Sequence, residues 1–208
     1  MRQEIIKRYT TESACCDNLS CGSNLDFLNI TAGEKILDLG CGRGRETIEA
    51  ARLTGPDGLA VGLDITDAML QEASRAADEA GMTNTRFVMG DIEALPFDSN
   101  FFDAVMSNCV INHARDKAAA YREIYRVLKN GGRFVVSDAV TKSPLPDSVK
   151  NDPEAWAQCF GGAVTEQEYL KSVQEAGFEE IIILKRREYV KNNYDFISLT
   201  MMAVKYDA

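Results

Sequence analysis

Histidine and tryptophan occur once each in these 208 residues, and proline five times. His113 is therefore the only imidazole available as a proton acceptor. A basic excess is also missing. The net charge is −9, which argues against nucleic acid as a partner, because phosphate binding demands basic surface. The one basic triplet, Lys185-Arg186-Arg187, sits between apolar runs and reads as a solvated strand end. No apolar run is long enough to span a bilayer, so no membrane role is expected. The opening Met1-Arg2-Gln3-Glu4-Ile5-Ile6-Lys7 lacks the apolar core of a secretory signal, and the expected location is cytoplasmic. No C-x-x-C pair occurs among the six cysteines, so the usual zinc-ribbon spacing is excluded. In a reducing compartment these cysteines read as free, ligating or catalytic rather than as structural disulfides. Repeats and low-complexity tracts are absent.

What is present is a glycine loop, Asp38-Leu39-Gly40-Cys41-Gly42-Arg43-Gly44, followed by the lone acid Asp64. Residues 34–39 read as a buried parallel strand, Arg45 to Thr54 as a helix, and Leu59 to Asp64 as the next strand. Glycines at the strand-to-helix turn let the backbone approach a ligand closely, and a carboxylate ending the second strand can accept both hydroxyls of a ribose. Asp38 adds negative charge beside the loop, which suits an amine or a sulfonium better than a diphosphate. Strands and helices alternate from residue 35 to 138, the pattern of a doubly wound parallel sheet. Further helices are expected over Asp67 to Ala80, Lys117 to Leu128 and Glu166 to Ala176. Strands are expected at Thr85 to Met89, Phe102 to Asn108 and Arg133 to Asp138, with a final hairpin near Glu180 to Tyr189 and Phe196 to Val204.

The loop resembles motif I of the class I S-adenosylmethionine-dependent methyltransferases. Gly90-Asp91-Ile92-Glu93 is similar to their adenine-binding segment. Phe102 to Asn108 is similar to their fourth strand, and Leu128-Lys129-Asn130-Gly131-Gly132 to the turn before strand five, with Asn130 in place of proline. The resemblance implies an α/β, Rossmann-like, doubly wound seven-stranded sheet with an antiparallel final strand. It implies S-adenosylmethionine as cofactor, with Asp64 on the ribose and Ile65 beside the adenine. Asp91 and Ile92 would hold the adenine edge, and Gly40, Cys41, Gly42 and Gly44 would line the loop. Asp38 would lie near the ammonium and the Asn108 backbone near the amino-acid end.

A closer resemblance runs through the cysteines. Ser107-Asn108-Cys109-Val110-Ile111-Asn112 resembles the strand-four motif of arsenite methyltransferases, and Cys159-Phe160-Gly161-Gly162-Ala163 resembles their Cys-hydrophobic-Gly-Gly-Ala motif. Cys21-Gly22-Ser23 is similar to their segment ahead of motif I, without its proline. Ala14-Cys15-Cys16 resembles a vicinal pair further upstream. In that family three thiolates, matching Cys21, Cys109 and Cys159, hold trivalent arsenic as substrate. The resemblance implies arsenite or its thiol conjugates as the acceptor and a thiol reductant as partner. As(III) is soft and prefers thiolates, and three of them leave it a lone pair that can attack a methyl in line. The enzyme's task is then positioning more than proton transfer. The implied organisation is a cysteine-bearing cap over residues 1–30 and a methyltransferase domain over 31–208, with an active-site insertion at about 141–163. Two other readings stay open. One is a methyltransferase for a small organic acceptor with His113 or Asp138 as base. The other is a non-catalytic, thiol-based metalloid-binding module.

Overall fold

A computed structural model describes residues 1–12 and 24–206. The N-terminal segment, in which the sequence marked no element, contributes two helices, α1 (Arg2–Glu12) and α2 (Leu25–Leu28). The alternating core follows as β1 (Lys35–Leu39), α3 (Arg45–Thr54), β2 (Leu59–Asp64), α4 (Asp67–Glu79), β3 (Thr85–Met89) and β4 (Phe102–Asn108). A single 3₁₀ turn, Ile111–His113, leads to α5 (Lys117–Val127) and β5 (Leu128–Thr141). Two short helices, α6 (Asp147–Lys150) and α7 (Pro153–Ala157), fill the proline-punctuated insertion, and α8 (Glu166–Glu175) precedes β6 (Ile181–Lys191) and β7 (Tyr194–Val204).

The seven strands form one sheet in the order β3-β2-β1-β4-β5-β7-β6. β1 to β5 run parallel, and β7 runs antiparallel to both β5 and β6. This is the mixed seven-stranded sheet expected of a class I methyltransferase. β1 lies inside the sheet between β2 and β4, and Ile36, Leu37 and Leu39 are almost wholly buried, as a strand covered on both faces requires. The helices bury apolar stripes at helical spacing: Thr47, Ile48, Ala50, Ala51 and Thr54 on α3, and Ala120, Tyr121, Ile124 and Val127 on α5. α8 begins with a capping box in which Thr165 and Glu168 satisfy each other's backbone N–H groups. The β6–β7 hairpin turns through Asn192 and Asn193, both left-handed, the geometry that matches strand twist in a two-residue loop.

Two boundaries differ from expectation. β5 starts at Leu128 rather than Arg133, because Gly131 N–H donates to Lys205 O and Lys205 N–H to Gly132 O, so the glycine pair joins the ladder. α2 is also part of the core: Leu28 is fully buried in a cluster with Ile36, Ala104 and Met106. The chain reverses its strand order between β1 and β4, and the crevice beyond their carboxyl ends is where such sheets bind ligands.

Candidate active site

A cavity of about 640 Å³ opens over the carboxyl ends of β1 to β5. One end is made by the glycine loop and the exits of β2 and β3. Gly40, Gly42, Asp64, Ile65, Asp91, Ile92 and Asn108 all line it. Gly40 has φ +69, and a Cβ there would lie 2.2 Å from Val110 Cγ2; only glycine lets the loop pack against the β4 exit. Gly44, at φ +77, would likewise press a Cβ against Ala73 and Phe87 at 2.9 Å. Beside Gly42 a Cβ would meet nothing within 4 Å, so the loop leaves open space toward the cavity.

Asp64 ends β2 with its carboxylate at that space. Oδ2 accepts from Gly42 N at 3.0 Å and Oδ1 from Thr66 N at 2.9 Å. Burial raises its pKa against these donors. Asp91 Oδ1 accepts from Glu93 N at 3.0 Å, while Oδ2 pairs with Arg2 of α1 at 3.0 Å. An anchored carboxylate beside an open glycine cradle, with a second acid one strand over, fits a nucleoside with a cationic amino-acid tail. The residues present therefore suit S-adenosylmethionine.

Three residues expected at this end lie behind the wall and do not line the cavity: Asp38, Cys41 and Gly44. Asp38 is buried and accepts from the Thr47 hydroxyl at 2.7 Å. Burial, with Glu46 and Asp64 nearby, pushes its pKa up to about 7. It braces the start of α3 against the loop. Cys41 packs its sulfur toward Gly62, where a Cβ would come within 2.8 Å. Burial pushes that thiol well above its ordinary range.

The other end is assembled from distant segments. Cys109 follows β4, His113 ends the 3₁₀ turn, Cys159 follows α7, and Tyr9 comes from α1; all four line the cavity. Cys159 Sγ lies 2.9 Å from His113 Nε2, 3.3 Å from Tyr9 Oη and 3.3 Å from Cys109 O. Tyr9 Oη is also 3.2 Å from His113 Nε2. Burial pushes the Cys159 thiol up to about 11. The His113 imidazole is pushed down to about 4 by burial and then by the positive charges of Arg8 and Lys117. The resting pair is thus a thiol and a neutral ring. His113 Nδ1 is buried and faces the Trp156 backbone without a well-formed hydrogen bond. Cys109 and Cys159 both hold left-handed backbone, at φ 60 and 66, a strained conformation for a residue with a side chain.

Cys41 and Cys159 are free thiols, whereas Cys109 is disulfide-bonded. Cys15, Cys16 and Cys21, named from sequence as the pair and the third ligand, lie outside the described residues. Among the described residues no three His, Cys, Asp or Glu side chains converge as a metal-holding cluster, and no helix is long and apolar enough to cross a membrane.

Asp138 reaches the cavity but is saturated. Oδ1 accepts from Asn112 Nδ2 and Ala139 N, and Oδ2 from Asn112 N and Tyr169 Oη. Burial raises its pKa to about 6. Four donors leave no lone pair aimed at a substrate, so the geometry favours a structural acid over a base. Trp156 covers the cavity from the insertion and donates its indole N–H to Lys150 O.

The sequence reading expected a cap over residues 1–30 but named none of the cavity-facing residues of α1. Met1, Arg2, Ile5, Arg8 and Tyr9 all line the cavity and share one helical face. Arg8 reaches Ala157 O, and Arg43 from the glycine loop holds Glu12 O. The signal was available as helical spacing in the first residues. β6 also adds Tyr189 and Lys191 to the rim.

Comparison with known proteins places these features among relatives. A methyltransferase-domain family model matches residues 30–177. An arsenite methyltransferase of Halobacterium salinarum is 38% identical over 170 residues, covering 82% of this chain and 44% of that protein. A ubiquinone/menaquinone biosynthesis C-methyltransferase of Idiomarina loihiensis is 33% identical, covering 76% of this chain and 71% of its own length. Among solved structures, an arsenic (III) S-adenosylmethionine methyltransferase from Chlamydomonas reinhardtii aligns with a TM-score of 0.78 at 31% identity, over 96% of this chain and 74% of that one. The chain spans about half the length of the arsenite methyltransferases it matches.

Proposed function

We propose, because this chain belongs to the methyltransferase-domain family, that it transfers a methyl group from S-adenosylmethionine to trivalent arsenic held by cysteine thiolates. The observation that carries the reading is the meeting of Cys109 and Cys159 in one cavity with the glycine loop and Asp64. Those two cysteines stand fifty positions apart, with Cys159 Sγ against the Cys109 carbonyl. Relatives named for arsenite methylation add support.

S-adenosylmethionine would supply an electrophilic methyl on its sulfonium sulfur, and the lone pair of three-coordinate arsenic would be the nucleophile. The chain's part is to bind and orient. Asp64 would hold the ribose, with Ile65 against the adenine and Asp91 and Ile92 at its edge. Gly40, Gly42 and the Asn108 backbone would flank the amino-acid end. Cys109 and Cys159, with Cys21 as third thiolate, would fix the arsenic and displace its hydroxides. Cys109 must first be released from its disulfide, so a thiol reductant is an obligatory partner. A reducing, cytoplasmic setting suits that requirement.

The test is methyl transfer from labelled S-adenosylmethionine to arsenite with reductant present. Wild type should turn over. Cys109→Ser and Cys159→Ser should each lose at least about 100-fold in rate, because serine is a poor ligand for soft arsenic, while cofactor affinity stays within about twofold of wild type. Full activity in either variant would sink the thiolate mechanism. Wild type that binds cofactor but never methylates arsenic would direct attention to organic acceptors, with His113 as the remaining base.

A further inference from the structure

The contact between Cys159 and His113 is not required for a thiolate to hold arsenic, and nothing in the reading above uses it. Tyr9, His113 and Cys159 come from α1, the 3₁₀ turn and the end of α7, and their polar atoms close a triangle on the cavity wall. Of the acceptors around Cys159 Sγ, His113 Nε2 is the nearest, at 2.9 Å against 3.3 Å for Cys109 O. With the Tyr9 hydroxyl donating to sulfur and the Sγ–H donating to Nε2, the ring proton sits on Nδ1.

We propose that His113, with Tyr9 steadying the sulfur, is the proton shuttle through which Cys159 exchanges its hydrogen for arsenic. This rests on the arsenic reading of the site, and arsenic here is the substrate. The step balances as a ligand exchange. The Sγ–H bond breaks and its proton passes to Nε2, while the sulfur electron pair forms the Sγ–As bond. The As–O bond of an arsenite hydroxyl breaks and the leaving oxygen takes the proton from Nε2 to depart as water. With a thiol conjugate, the departing sulfur takes that proton instead. The ring begins and ends neutral, so no oxidant, reductant or net proton is consumed. Cys159 is half-buried on the cavity wall, and His113 is the base that its Sγ touches there. The shuttle governs how fast arsenic loads and leaves how tightly it is held unchanged.

The experiment is rapid mixing of the reduced full chain with arsenite, following the near-ultraviolet absorbance of arsenic–thiolate bonds. His113→Ala should slow loading at least about tenfold, reach the same final absorbance per chain, and recover speed when free imidazole is added, since the vacated space opens on the cavity. Tyr9→Phe should slow it by about threefold. Wild type should show a normal solvent deuterium isotope effect of about two or more on the loading rate, a readout that needs no variant. Loading by His113→Ala at the wild-type rate, or a slowing that imidazole does not repair, would overturn the shuttle while leaving the thiolate reading intact. The absence of a solvent isotope effect would do the same. Wild type that takes up no arsenic would remove both proposals.

Discussion

The two ends of the cavity are built by opposite strategies. The cofactor end comes mainly from consecutive strand exits, β1 to β3, where the loop glycines are held to β2 and Asp64 by hydrogen bonds across some twenty residues. The acceptor end comes from α1, the β4 exit, the insertion and β6, and its Cys159–His113 contact joins residues 46 positions apart. A locally encoded site is set once the unit folds. A site made of remote segments exists only when the whole sheet and its coverings are in place. Specificity for the acceptor can change by altering a turn or a short helix, without disturbing the machinery that holds the cofactor.

That contrast can be broken or sharpened by substitutions at the cofactor end and on α1. Asp64→Ala removes the carboxylate proposed to hold the ribose and should weaken S-adenosylmethionine binding about 300-fold, or ~3.4 kcal/mol, measured by calorimetry. Wild-type affinity in a folded variant would contradict the role given to it. Gly40→Ala drives a methyl into Val110 at a left-handed position and should cost about 3 kcal/mol of stability in denaturant unfolding, an effect transmitted to the acceptor end through the β4 exit. Asp38→Asn isolates a buried carboxyl whose folded pKa, about 7, exceeds its unfolded value. The folded state holds a proton there that the unfolded state has lost, so the stabilisation is complete below about pH 4 and fades as pH rises through 7. The variant should gain on wild type over that window, reaching on the order of 2 kcal/mol at pH 8. A pH-independent difference would refute the assignment. Arg2→Ala removes an exposed pair with Asp91 and should change stability by less than about 0.5 kcal/mol. A larger loss would show that α1 ties the two ends together through this contact.

The same contrast explains what the sequence made legible. The spans of α3, β2, β3 and β4 follow directly from periodicity and the glycine turn, because local patterning decides them. Asp64 announces itself by ending a strand after a glycine loop. Asp38, an acid just before the loop, turns its side chain inward to Thr47, and strand alternation at a loop entrance does not specify that. Helical spacing could place Tyr9 on a face of α1 but could not name what that face meets. Its partners lie 104 and 150 positions away, and only the tertiary fold puts a tyrosine of the first helix against a thiol of the insertion. His113 was legible as a candidate base but not as the neighbour of Cys159. Cys109 and Cys159 were found through motif resemblance, and nothing in their spacing would have paired them.

The outermost strands bear on how the chain behaves when crowded. An open sheet presents unpaired backbone at both margins, which invites another chain to add a strand and seed fibrils. β3 limits the risk by being five residues long. β6 is twice that length, and its exposed Ile182 and Ile183 would be the adhesive spot. The ladder slips out of register between Ile183 and Lys185, and the strand then carries Arg186 and Glu188 in ion pairs with Glu166 and Lys142. A kinked margin dressed in charge is a poor template, so this sheet guards against self-association where its apolar content is most exposed.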